Sequence, residues 1–200
     1  MIPLQQQLAY LLLVLVWWFG LPASAQHFSF NKITQNADKE FASLLNSISE
    51  DNRGYLWIGT RTGLGRFDGG TLKKYLNDKE DPFSLPGDDV YNVLEDNDHD
   101  LWVLTVGGVA RYEYQNDHFH TLTNDEGHSF KVFAACKWRD GLLLGDGHAV
   151  IYYNKKECSF TKIAELPLSA WMEKFLLLDD RTLLCMVRSN KVWHISLDTG

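Results

Sequence analysis

The chain has 200 residues, a formal net charge of −7, 13% aromatic residues and seven Trp. That is enough apolar material for a packed core, and it is not the composition of a disordered chain. An acidic chain with no Lys/Arg cluster is a poor match to a phosphate backbone, so nucleic acid is discounted as a partner.

The first feature in chain order is the uncharged run Leu8 to Leu21, LAYLLLVLVWWFGL, followed by Ala23-Ser24-Ala25. The run is short for a bilayer span, which takes roughly 20 apolar residues. An A-x-A pattern after it reads as a signal peptide over residues 1–25, cleaved before Gln26. The segment MIPLQQQ departs from the usual leader, since it has no Lys or Arg. His27 to Ile33, HFSFNKI, alternates apolar and polar and reads as a strand that could pair with a final sheet.

The main signal is an internal repeat. Glu50-Asp51-Asn52-Arg53-Gly54-Tyr55-Leu56-Trp57-Ile58-Gly59-Thr60 aligns without gaps on Glu95-Asp96-Asn97-Asp98-His99-Asp100-Leu101-Trp102-Val103-Leu104-Thr105. Eight identities fall between residues 50 and 66, among them Trp57 on Trp102 and Gly63 on Gly108. A weaker copy sets Leu142-Leu143-Leu144-Gly145 under Leu101-Trp102-Val103-Leu104, with Tyr153 under Tyr112 and Phe160 under Phe119. A fainter fourth runs through Leu183-Leu184-Cys185-Met186 and Val192-Trp193-His194-Ile195.

Within a copy, short apolar or alternating runs are separated by turn residues. The second copy predicts strands at Asp89–Glu95, Asp100–Thr105, Val109–Tyr114 and His118–Leu122. Four strands in about 41 to 45 residues is the size of one propeller blade. The expectation is all-β: a partial β-propeller over 26–200, with blades near 43–76, 89–122, 130–163 and 172–200. Trp57 and Trp102 would fill the wedge between blades. Gly59, Gly63 and Gly108 belong to the same structural repeat, with glycine at 63, 107 and 108 permitting positive φ.

The phrase Glu50 to Gly69, EDNRGYLWIGTRTGLGRFDG, resembles the two-component regulator propeller repeat. So does DPFSLPGDDV at the end of the linker Tyr75–Val90. The resemblance is carried by residues 47–122 and is thin beyond 163. It implies a seven-bladed propeller in the periplasmic half of a hybrid sensor histidine kinase. It also implies a homodimer, tethered to the inner membrane by a downstream helix and followed by kinase domains. Many such receptors sense oligosaccharides released from polysaccharides. Seven blades take roughly 290 residues, more than this chain provides, which reads as truncation.

The chemistry-bearing residues point away from catalysis. Glu50/Asp51 and Glu95/Asp96 recur at equivalent repeat positions, as turn residues do, whereas a glycosidase needs two carboxylates facing one bond. His118 and His120 would share a strand face, but no third ligand has an evident place, so neither a metal nor any other cofactor is expected. Cys136, Cys158 and Cys185 read as buried small apolar residues rather than a disulfide framework. The Asp-box of sialidases fails at Ser49 to Trp57 by one extra residue. Binding remains. The loop face that carries Arg61, His128, His148 and Arg188 offers planar polar groups for a sugar, and these four are the candidate ligand contacts. Two functions fit: an oligosaccharide-sensing propeller signalling to a kinase, or a periplasmic protein- or carbohydrate-binding module without a signalling role. Exported protein is expected to begin at Gln26 by N-terminal sequencing, and an intact Met1 would identify the leader as an anchor.

Overall fold

The computed structural model describes residues 44–124, 127–167, 172–188 and 191–197. His27–Ile33 and the leader lie outside them. The first blade holds β1 (Leu45–Glu50), β2 (Leu56–Thr60), β3 (Gly63–Phe67) and β4 (Leu72–Tyr75). The second holds β5 (Val90–Glu95), β6 (Leu101–Thr105), β7 (Gly108–Glu113) and β8 (His118–Thr121). The third holds β9 (Ala134–Trp138), β10 (Gly141–Gly145), β11 (Ala149–Asn154) and β12 (Ser159–Glu165). The fourth shows three strands among the described residues, β13 (Met172–Asp179), β14 (Thr182–Val187) and β15 (Lys191–Ser196). Every sheet is an antiparallel meander with strands in chain order. The first strands β1, β5, β9 and β13 pack in succession, and each gap between sheets holds one apolar cluster. This is a β-propeller.

The gaps explain the repeat. Trp57 is fully buried and packs edge-on against Tyr112 of the next blade, with ring centroids 4.9 Å apart. Trp102 repeats the arrangement against Tyr153. Buried in the apolar gap, each indole N–H needs an acceptor. Asp51 Oδ2 accepts from Trp57 Nε1 at 2.6 Å, and Asp96 Oδ2 from Trp102 Nε1 at 2.8 Å. The other oxygen of each carboxylate closes the turn by accepting two backbone amides, from Arg53 and Tyr55 or from Asp98 and Asp100.

Each aspartate also takes a donor from the following blade. Tyr114 hydroxyl donates to Asp51 at 2.7 Å, and Lys155 Nζ donates to Asp96 at 2.6 Å. Lys155 reaches Asp98 and Asp100 as well, at 2.9 and 2.7 Å. The acidic turn is therefore more than a turn: it joins its own strand pair, its own Trp and the neighbouring sheet.

The third blade has Leu143 where the first two have Trp. Trp138, one strand inward on β9, fills the gap to the fourth blade instead and donates to the Asp180 carbonyl at 2.9 Å. Glycine matters where blades approach most closely. A Cβ on Gly59 would stand 2.9 Å from Val90 Cγ1, and one on Gly145 2.7 Å from Met172 Sδ, each in the next blade. Gly63 and Gly108 open β3 and β7 at φ +129° and +145°, which a side chain would strain. Gly107 is small for another reason: a Cβ there would collide with the Pro86 carbonyl.

The cysteines correct one expectation. Cys185 is buried and Cys136 half-buried, but Cys158 is exposed, at φ +50° in the β11–β12 turn, and all three are free thiols. The turn leaves that side chain at the edge of the cluster between the second and third blades, beside Tyr153, instead of inside it. On the fourth blade Leu176, Met186 and Val192 face outward and stay exposed. Their face of the sheet is the one turned away from the third blade.

Replacing Trp57 or Trp102 by Ala is expected to cost about 3–5 kcal/mol in denaturant unfolding, through the cavity left between blades. A loss below about 1 kcal/mol would show the rings to be peripheral. Acid should act through Asp96. Burial alone would push its pKa up, but the bonds from Lys155, Trp102 and two backbone amides outweigh that and hold it below the usual value. A depressed folded pKa gives stability that is present above the unfolded value of about 3.9 and is lost as pH falls through the folded one. Lys155→Met should move the acid unfolding midpoint to higher pH, followed by Trp fluorescence. An unchanged midpoint would remove the ammonium from the account.

Candidate functional site

A hollow of about 340 Å³ opens where the first strands of the blades begin and their second strands end. Its lining follows the repeat. Asn46, Tyr91 and Glu173 stand at one equivalent position, the second residue of β1, β5 and β13. Asp89 and Phe133 stand at another, just before β5 and β9. Arg61 and Arg188 share a third, the first residue after β2 and β14.

The backbone gives the first set its direction. In the first blade Leu45 pairs with Thr60 and Ser47 with Gly59, so Asn46 is an extra residue in the ladder. Tyr91 is extra between Val90 and Asn92, and Glu173 between Met172 and Lys174. Each is a β-bulge, which bends the strand locally and re-aims a side chain. The third blade pairs Ala134 with Gly145 and Ala135 with Leu144, without a bulge at this point, and contributes Phe133 from the preceding loop.

The hollow mixes aromatic and charged groups. Tyr91 and Phe133 have ring centroids 5.7 Å apart, inclined at 37°. Asn46 Nδ2 donates to Asp89 Oδ1 at 3.0 Å and to the Val90 carbonyl at 2.9 Å, tying the first blade to the second. Arg188 Nε lies 3.5 Å from Glu173 Oε1. Burial raises the Tyr91 pKa; Asp89 adds to the rise and Arg61 opposes it, so Tyr91 stays a neutral hydroxyl. Nothing here has the arrangement of a nucleophile with its base. The groups are suited to hold a ligand by hydrogen bonds and ring contact.

Of the four residues picked out from the sequence, the structure brings Arg61 and Arg188 to the hollow. His128 and His148 lie outside its lining, exposed in loops whose amides are held by Asn124 and Asp146. His118 and His120 flank Phe83 at the rim: His118 stacks on its ring at 4.6 Å, and His120 Nε2 meets Glu113 at 3.1 Å. Among the described residues no group of three or more His, Cys, Asp or Glu could hold a metal ion. Sequence reading missed Asn46, Asp89, Tyr91, Phe133 and Glu173. The available signal was the repeat alignment itself, in which these positions change chemistry from copy to copy while Trp57 and Gly63 recur as Trp102 and Gly108 in the second copy.

Residues 42–62 and 84–107 match the family model of the two-component regulator propeller. These two segments resemble two-component regulator propeller repeats. Over 66 residues the chain is 39% identical to Histidine kinase P4 of Formosa agariphila, a stretch that covers 33% of this chain and 5% of that kinase. The fold resembles the extracellular domain of the putative hybrid two-component system BT3049 of B. thetaiotaomicron, with a TM-score of 0.66 and 21% identity over 77% of this chain and 23% of that one. The corresponding domain of BT4673 gives a TM-score of 0.66 and 16% identity over 78% of this chain and 21% of that one. The chain thus spans less than a quarter of the length of these relatives. The two matched propeller repeats supply Asn46, Arg61, Asp89 and Tyr91 to the hollow.

Proposed function

We propose that this propeller is the ligand-sensing part of an extracytoplasmic two-component sensor, that its ligand is an oligosaccharide, and that the hollow at the strand starts is where the ligand is held. The observation that carries the reading is the trio of β-bulges that turn Asn46, Tyr91 and Glu173 into one hollow. A bulge repeated in three blades costs ladder hydrogen bonds in each. The third blade keeps regular pairing at this point, so a first strand can start without the bulge. Bulges are over-represented next to active sites, where they re-aim a side chain.

Sugar recognition suits the lining. Aromatic faces carry partial negative charge and attract the weakly positive C–H groups of a pyranose ring. Arginine and carboxylate groups present paired donors or acceptors to neighbouring hydroxyls. The apolar leader before Gln26 supports placement outside the cytoplasm, in the periplasm, with a kinase in the same receptor as the recipient of the signal. A repeat shared with a histidine kinase supports that partner. His128 and His148 keep a place in the proposal only as outer contacts for a ligand longer than the hollow.

The test is a binding screen of the purified chain against oligosaccharides, followed by calorimetry. Tyr91→Ala and Arg61→Ala should each weaken the bound sugar tenfold or more, about 1.4 kcal/mol, with the thermal midpoint little changed. Binding that persists unaltered in both variants would place the site elsewhere.

A further inference from the structure

We infer that the hollow selects an uncharged saccharide and discriminates against acidic ones; this rests on the reading of the hollow as a sugar site. Two guanidinium groups, Arg61 and Arg188, face two carboxylates, Asp89 and Glu173, so the formal charge of the lining sums to zero. The two signs are interleaved instead of segregated. Arg188 lies beside Glu173 at 3.5 Å, and Asp89 and Arg61 act on the Tyr91 hydroxyl with opposite effect.

Hydrogen-bond capacity leads to the same class. A guanidinium only donates and an ionised carboxylate only accepts. A sugar hydroxyl does both, so a neutral polyol can satisfy Arg61, Asp89 and Asn46 together. A uronate or sulfate group can satisfy the arginines but leaves Asp89 and Glu173 facing like charge. An amino sugar has the reverse defect at Arg61 and Arg188. Selectivity then comes from unfavourable contacts with the wrong ligand as much as from favourable contacts with the right one. The chain's net charge of −7 adds a long-range penalty on approach of a polyanion.

The size of the hollow bounds the ligand. About 340 Å³ is near the lower end of ligand sites, which run from about 300 to 1,000 Å³. It suits a short saccharide or the end of a longer one. Tyr91 and Phe133 form an inclined wall that can face one ring while the charged groups address its hydroxyls.

The test uses matched disaccharide pairs of gluco, galacto and manno configuration, each as the neutral sugar and as its uronate, titrated into the full chain by calorimetry. In the configuration that binds, the neutral member should be at least tenfold tighter than the uronate. Asp89→Asn should narrow that gap, because the amide keeps an oxygen for Asn46 and removes the charge. A uronate that binds as tightly as its neutral partner, or more tightly, would overturn the inference and leave the sugar site standing, provided Arg61→Ala still weakens binding tenfold or more. Failure of every pair in both forms would overturn the inference and the sugar reading together.

Discussion

The bond from a buried indole N–H to an aspartate in the neighbouring turn is the interaction on which the first two blade boundaries depend. A Trp is wide enough to fill the wedge between diverging sheets, but its N–H cannot be left dry without loss. Asp51 and Asp96 supply the acceptor, and a buried carboxylate then needs donors of its own. Two backbone amides and one side chain of the next blade provide them. One constraint thereby fixes the turn, the wedge and the link to the following sheet. It also explains why E-D-N and L-W travel together at fixed spacing in the sequence.

The same requirement can be met by other residues, and the third boundary shows how. With Leu143 in place of Trp, the indole moves to Trp138 on the adjacent strand and its N–H finds a backbone carbonyl, that of Asp180. Wedge and acceptor are both retained, while the residues that supply them change. Lys155 and Tyr114 make a similar exchange: they occupy equivalent positions, and either donates to the turn aspartate of the blade before. The burial that Lys155 accepts in doing so is offset by three carboxylates, which together raise its pKa despite desolvation.

That exchange accounts for what the sequence shows plainly and what it conceals. The blades are legible because alternation, glycine turns and the Trp spacing repeat at nearly constant intervals. Gly59 and Gly63 are legible for the same reason, although close approach to Val90 at the first and positive φ at the second have no separate signature. The hollow is another matter. Arg61 and Arg188 can be picked from loops by chemistry, but so can His128 and His148, and only geometry separates the pairs. Asn46, Tyr91 and Glu173 sit inside strands, where alternation assigns their direction incorrectly, because a bulge inserts one residue and reverses the parity from that point. Cys158 illustrates the same limit at the rim, where a left-handed turn exposes a residue that composition would bury.

A ligand held in the hollow would touch several blades at once. Its lining comes from the first, second and fourth blades together with the loop entering the third. No hydrogen-bonded sheet joins these blades; they meet through apolar wedges and a few inter-blade bonds such as Asn46 to Asp89. A wedge of packed side chains resists separation but has weaker directional preference than a strand ladder. A sugar bonded to Arg61 on the first blade and to Glu173 or Arg188 on the fourth would restrain the angle between those sheets. Any such change would be carried outward along the blades, because each sheet runs from its first strand at the hollow to its outer strand. Information about occupancy would then appear at the rim of the sheets, while the chemistry that reads the ligand stays at the strand starts.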